Sequence, residues 1–211
     1  MALQASGLTA VRGERTLFSD LSFELSAGEA LWVCGSNGSG KTTLLRMLCG
    51  LALPDQGQVS WRGSDIRHSR DTFSQALAYI GHDCAVKDGL SACENLMAAS
   101  SLAGSALALA DAQAALAQVG LGPQSTLPAQ VLSQGQRKRA ALARLLVAPA
   151  RPVWVLDEPF SALDGPATSL LNATIAHHLS AGGILVYTTH QEPGFAGAAA
   201  RRLELDAVAA C

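Results

Sequence analysis

Eight residues, Gly35-Ser36-Asn37-Gly38-Ser39-Gly40-Lys41-Thr42, have the types and spacing of a phosphate cradle. Glycines let successive backbone N–H groups converge on one anion, and the helix that follows presents its positive N-terminus to it. Lys41 adds a point charge that reaches the outer phosphates of a nucleotide, and Thr42, followed by Thr43, offers a hydroxyl to Mg²⁺. Downstream, the apolar run Val153-Trp154-Val155-Leu156 closes on two carboxylates, Asp157 and Glu158. An acid at such a strand end can hold Mg²⁺ beside the β- and γ-phosphates, the role expected of Asp157. Glu158, one residue further, is placed to orient or deprotonate an attacking water.

Such groups act only if a scaffold brings them together. Ala30-Leu31-Trp32-Val33-Cys34 is a short apolar run ending at glycine, which reads as a buried parallel strand, and a helix over 41–49 stopped by Gly50 follows it. Two more buried strands are expected at 153–156 and 184–188, with a helix over 166–179 between them, an order that implies a right-handed crossover in a mostly parallel sheet. Leu21 to Leu25 and Gln58 to Trp61, set among turn signals, predict an N-terminal β portion. From 91 to 147 the pattern is helical and alanine-rich. The expectation is one α/β domain over 1–211, with a core of 1–82 and 149–211 and an inserted helical subdomain at 83–148.

With 211 residues, the chain is long enough to bury a substantial core. A formal net charge of -2 supplies no global field toward nucleic acid or an anionic membrane, so nucleic acid is not an expected partner. The triplet Arg137-Lys138-Arg139 is expected to meet a second subunit or the helical subdomain. Five cysteines without C-x-x-C spacing read as free thiols, Cys34 being a small buried hydrophobe and Cys211 lying at the far end. His177-His178 read as a solvated helix face. The stretch Leu102 to Leu121 carries Asp111, Gln113 and Gln118 and is too polar to span a bilayer, and the first residues lack the pattern of a secretory signal. A cytosolic chain, or one held to a membrane through another protein, is expected.

Leu132-Ser133-Gln134-Gly135-Gln136 resembles the LSGGQ signature of ABC-type ATPases. The phosphate loop, this signature, Asp157-Glu158, Ser161-Ala162-Leu163-Asp164 as a D-loop and Thr188-Thr189-His190 as a switch histidine follow in that family's order. The resemblance implies a P-loop NTPase fold that binds ATP and Mg²⁺. It also implies that Ser133, Gly135 and Gln136 bind the γ-phosphate held by a second copy, so that ATP closes a homodimer, and that His190 contacts the γ-phosphate in its own chain. Two stretches depart from the pattern. Val11-Arg12-Gly13-Glu14 lacks the usual aromatic, which leaves Arg12 to stack on adenine. Tyr79-Ile80-Gly81-His82-Asp83 lacks the glutamine of the Q-loop, which leaves Asp83 to reach the metal or the water.

Glu14 to Ser19, the Gly35-Ser36-Asn37-Gly38 form of the loop, Tyr79 to His82, Ala143-Arg144-Leu145 and Thr188 to Gln191 resemble the haem exporter ATPases, the A subunits of cytochrome c maturation systems. That likeness implies separate membrane subunits of B and C type. It implies a peripheral seat on the cytoplasmic face of the inner membrane, and haem export or release of a haem chaperone driven by ATP. No direct haem site is expected on this chain. A soluble ABC protein acting on ribosomes or DNA would be expected to carry tandem ATPase units or a long coiled coil. A small-molecule kinase would lack both the signature and the switch histidine.

Overall fold

A computed structural model describes residues 2–147, 151–190, 194–195 and 200–208. Two sheets form its centre. β1 (Ala2–Arg12) and β2 (Arg15–Ser26) pair as a long hairpin around Gly13, whose φ of 64° suits a glycine at the turn. In β2, Leu21, Phe23 and Leu25 are buried and alternate with exposed Ser22 and Glu24, the period of a strand covered on one face. β3 (Ala30–Cys34) belongs to the second sheet, and α1 (Lys41–Leu48) follows it. β4 (Gln56–Trp61) and β5 (Ser64–Asp65) complete the antiparallel sheet in the order β2-β1-β4-β5. In β1 the buried residues are Leu3, Ala5, Leu8 and Ala10, and the alternation breaks between Ala5 and Leu8, where the register with β2 shifts.

After α2 (Arg70–Ala76) come β6 (Leu77–Ile80), β7 (Val153–Leu156), β8 (Ile184–Thr188) and β9 (Arg201–Glu204). With β3 they make an all-parallel sheet in the order β6-β7-β8-β3-β9. Alternate residues of this sheet serve two cores. Val153, Val155, Ile184 and Val186 face α1 and the antiparallel sheet, whereas Trp154, Leu156, Leu185 and Tyr187 face the helices on the other side. Being covered on both faces, β3, β7 and β8 read as continuous apolar runs, and their limits match the expected ones.

Between β6 and β7 lie α3 (Ala92–Leu102), α4 (Leu109–Gln118), a 3₁₀ turn (Ala129–Val131), α5 (Gln134–Leu142) and α6 (Arg144–Val147), with their own apolar cluster around Leu96, Leu116 and Leu121. Ser91 caps α3 with a reciprocal bond to Glu94, satisfying two donors that the first turn leaves free. None of the described helices is long and apolar enough to cross a membrane. α7 (Gly165–Ser180) returns the chain to β8. The chain continues after β9 into α8 (Leu205–Val208), whose Leu205 is fully buried. Cys34, Cys49 and Cys93 are buried free thiols; Cys211 falls outside the described residues.

His178 departs from its expected solvated place. Its ring lies flat on Trp154, with centroids 3.8 Å apart and planes 7° apart, and its Nε2–H donates to the Ile184 carbonyl at 3.2 Å. Burial pushes its pKa below the usual range, which keeps the imidazole neutral against the indole. A Cβ on Gly183 would overlap that ring. We therefore expect Gly183→Ala to cost about 1–3 kcal/mol by overpacking. Urea unfolding checks this, and the double variant with His178→Ala should recover part of the loss, because the two sites share one space.

Candidate functional site

Parallel topology gathers the carboxyl ends of β3, β6, β7 and β8 at one edge of the sheet, where α/β proteins bind ligands. From β3 the chain enters the loop 35–40, whose glycines Gly35, Gly38 and Gly40 all have positive φ (143°, 82° and 104°). A Cβ at Gly35 would stand 2.6 Å from Ser39 Oγ, so the loop can close this tightly only without one. Ser39 is itself buried, and its hydroxyl has no partner. Lys41 folds back over the loop and donates to the Gly35 and Ser36 carbonyls at 2.7 and 3.0 Å. The ammonium is thereby held where the loop's amides and the first turn of α1 converge.

The end of β7 supplies the acids. Asp157 is 3% exposed; its Oδ2 accepts from Thr42 Oγ1 at 2.9 Å and its Oδ1 from Thr188 Oγ1 at 2.7 Å. The hydroxyl of Thr42 and a carboxylate oxygen of Asp157 are hard donors side by side, which suits Mg²⁺, a cation that takes few protein ligands and fills its shell with phosphate and water. Among the described residues no group of three or more His, Cys, Asp or Glu could hold a metal by protein ligands alone.

Glu158 sits in the left-handed region, at φ 49°, a conformation that costs a non-glycine residue energy and persists only where neighbours enforce it. Two bonds do so: Asp157 N donates to the Ile80 carbonyl at 2.8 Å, and Glu158 N to Thr188 Oγ1 at 2.9 Å. Its Oε1 is buried without a hydrogen bond, 3.4 Å from His190 Nε2, an ion pair whenever the imidazole is protonated. Lys41, Thr42, Asp157, Glu158 and His190 share one open cavity of about 310 Å³, with Asn37, Gly38, Gly40 and Thr43 in its wall. Arg12 and Leu17 complete that wall from the antiparallel sheet.

Asp83 does not line this cavity; His82 does. The chain leaves β6 at Gly81 and turns at once, with Cys84 N bonded to Gly81 O and Ala85 N to Asp83 O, both Cys84 and Ala85 at positive φ. Within that turn the residue that faces the phosphate loop is His82. Its position directly after strand and glycine was the available signal.

Ser133, Gly135 and Gln136 are also absent from the wall. Ser133 is exposed and caps α5, its Oγ accepting from Gln136 N at 3.2 Å while Gln136 Oε1 accepts from Ser133 N at 2.8 Å. Gly135 packs against the D-loop so closely that a Cβ would lie 2.6 Å from the Ala162 carbonyl oxygen. Asp164 caps α7 through Ala167 N at 3.0 Å and lies 3.7 Å from Arg139.

Two further residues touch this machinery without having been anticipated. Asp206, in the alanine-rich tail, accepts from Ser36 N at 2.7 Å and Ser36 Oγ at 2.9 Å, and these bonds hold its carboxyl below the usual range. Lys138, in the triplet expected to meet a second subunit or the helical subdomain, is 3% exposed and donates to the Asp157 carbonyl at 3.2 Å. Burial lowers its pKa, against the pull of Cys84, Asp157 and Glu158. The stripe Lys138, Ala141, Leu142, Leu145, at helical spacing and all buried, was its signal.

The chain matches the ABC transporter family over residues 18–161. A relative from Nitrosomonas europaea, the cytochrome c biogenesis ATP-binding export protein CcmA, is 50% identical over 190 residues, covering 90% of this chain and 89% of its own. Two solved structures share the fold. A putative ABC transporter ATP-binding protein from Pyrococcus furiosus aligns with a TM-score of 0.82 at 22% identity, covering 99% of both chains. The ATP-binding cassette MJ0796, solved as a dimer in a post-hydrolysis state bound to ADP and Pi, gives 0.76 at 22% identity over 90% of this chain and 88% of its own.

Proposed function

As a member of the ABC transporter family, and within it of the CcmA-type export proteins, the chain binds and hydrolyses ATP to drive transport in cytochrome c biogenesis, and we propose that it does so as a homodimer with two composite sites. The observation that carries this reading is the place of the signature: α5 presents its capped N-terminus, with exposed Ser133, away from the cavity of its own phosphate loop. A helix N-terminus is a ready anion site, and two-fold pairing would bring that of one copy onto the ATP of the other.

In each site Lys41 and the loop amides hold the β- and γ-phosphates, and Arg12 stacks on the base. Thr42 and Asp157 would hold Mg²⁺, which would supply positive charge beside the phosphates. Glu158 takes a proton from the attacking water, while His190, 3.4 Å from it, contacts the γ-phosphate. Loss of that phosphate removes the bond between the copies, and they part. Residues 83–148 act as the helical subdomain on the core of 1–82 and 149–211, and the segment 84–94 passes the motion to B- and C-type membrane subunits. The chain is peripheral on the cytoplasmic face, and the cargo is haem or a haem chaperone awaiting release.

Deleting the gene and staining for c-type cytochromes tests the cargo. Loss of haem-stained bands, restored by the wild-type chain but not by Glu158→Gln, is the expected result. Normal c-type cytochromes in the deletion strain would remove the haem assignment and leave the ATPase standing.

A further inference from the structure

Lys138 is a charge that the fold buries at a cost, since desolvating an ammonium is expensive unless something recovers it. Its side chain leaves α5 on the same stripe as Ala141 and Leu142, which Leu145 of α6 extends, an apolar face that a methionine would fill as well. What a methionine would lack is the donor: Nζ bonds the carbonyl of Asp157, the peptide that joins the two acids at the end of β7. That carbonyl lies between Asp157, bonded to Thr42, and Glu158, whose left-handed backbone depends on being held.

The same helix is fixed to the acidic loop at two more places. Gly135 abuts the Ala162 carbonyl, and Arg139 pairs with Asp164. Ser133 and Lys138 are five residues apart, about 7.5 Å along one helix. The signature end and the acids are thus joined by a short rigid strut. Helix-borne groups move together, so a shift of the N-terminus of α5 on meeting an anion is felt at the Asp157 carbonyl.

We infer that Lys138 is a positioning residue for hydrolysis, bracing the Asp157–Glu158 peptide against α5 so that engagement of Ser133 with the other copy's ATP sets Glu158 for its own. The inference rests on the two-copy reading of the site. It concerns a residue that touches neither nucleotide.

Steady-state ATPase kinetics on the purified chain test it, with Lys138→Met as the isosteric variant that lacks a donor. The expected result is a kcat lower by about a hundredfold, the usual effect of a small misplacement of a reacting group. KM for ATP should stay within about twofold, because no contact with the nucleotide is lost. Lys138→Arg, which can still donate to the carbonyl, should regain part of the rate. A merely structural lysine would instead lower the urea midpoint and leave kcat per folded molecule unchanged, or shift kcat and KM together. Either pattern overturns the inference, as does an arginine variant no better than methionine. If the methionine protein does not fold, Lys138→Gln takes its place, and failure of both to fold marks a packing residue and overturns it equally. ATP-dependent dimerisation of Lys138→Met in a Glu158→Gln background separates the two readings. Its loss together with that of Glu158→Gln alone points to failure of the two-copy site, whereas a dimer with unchanged wild-type-background kcat points to failure of the role of Lys138.

Discussion

Glu158→Gln should abolish turnover while leaving ATP bound. The expected fall in kcat is about 10²–10⁴-fold, the worth of a positioned general base. Glutamine matches the shape of glutamate, and the backbone at 158 is held by Thr188 Oγ1 and by the Asp157–Ile80 bond, neither of which involves the side chain. The phosphate loop, Lys41 and Asp157 are untouched, so affinity for MgATP should change little. With the γ-phosphate retained, the free energy of ATP bound between copies accumulates as closed dimer, since ligand bound to one state shifts the population toward it. Light scattering after gel filtration should show a monomer without nucleotide and a dimer with ATP and Mg²⁺. A variant that stays monomeric under those conditions overturns the composite site.

The parts of this machinery that could be read in advance are those whose physics is local. A strand covered on both faces must be apolar throughout, so Ala30–Cys34, Val153–Leu156 and Ile184–Thr188 announced themselves, and the groups at their ends came with them. β1 did not, because its alternation of buried residues breaks between Ala5 and Leu8, and two of those it buries, Ala5 and Ala10, are small side chains with a weak apolar signal. β9 and Asp206 were hidden for a related reason: Arg201–Glu204 is four residues of mostly charged strand, recognisable only once β3 offers its edge. Asp83 and His82 are neighbours whose roles are decided by a turn with two left-handed residues, Cys84 and Ala85, neither of them glycine. Lys138 illustrates another limit. Three consecutive cations on a helix are spaced about 100° apart, so they cannot all face water on an element with a buried face; only tertiary packing says which turns inward.

Mixing two inactive variants should restore a site that neither possesses. Lys41→Ala removes the ammonium that, in the proposed site, reaches the outer phosphates. Ser133→Asp keeps a good helix cap for α5 but sets a carboxylate against the γ-phosphate of the other copy. Alone, each variant spoils both sites of its homodimer. In a mixed dimer both defects fall in one site, the loop of the first variant facing the signature of the second, and the other site keeps an intact Lys41 and an intact Ser133. With both variants carried in the Glu158→Gln background, mixed dimers should retain about one nucleotide each after desalting, where the parents retain none. In the hydrolysing background, random pairing puts roughly half of the chains in mixed dimers with one good site of two, so about a quarter of the wild-type rate is expected if the sites act independently. If mixed dimers isolated through two different tags hold no nucleotide, Ser133 does not act on its partner's ATP. Retention by Ser133→Asp alone would exclude that action equally, because a repelling carboxylate at that position is harmless only if no phosphate meets it.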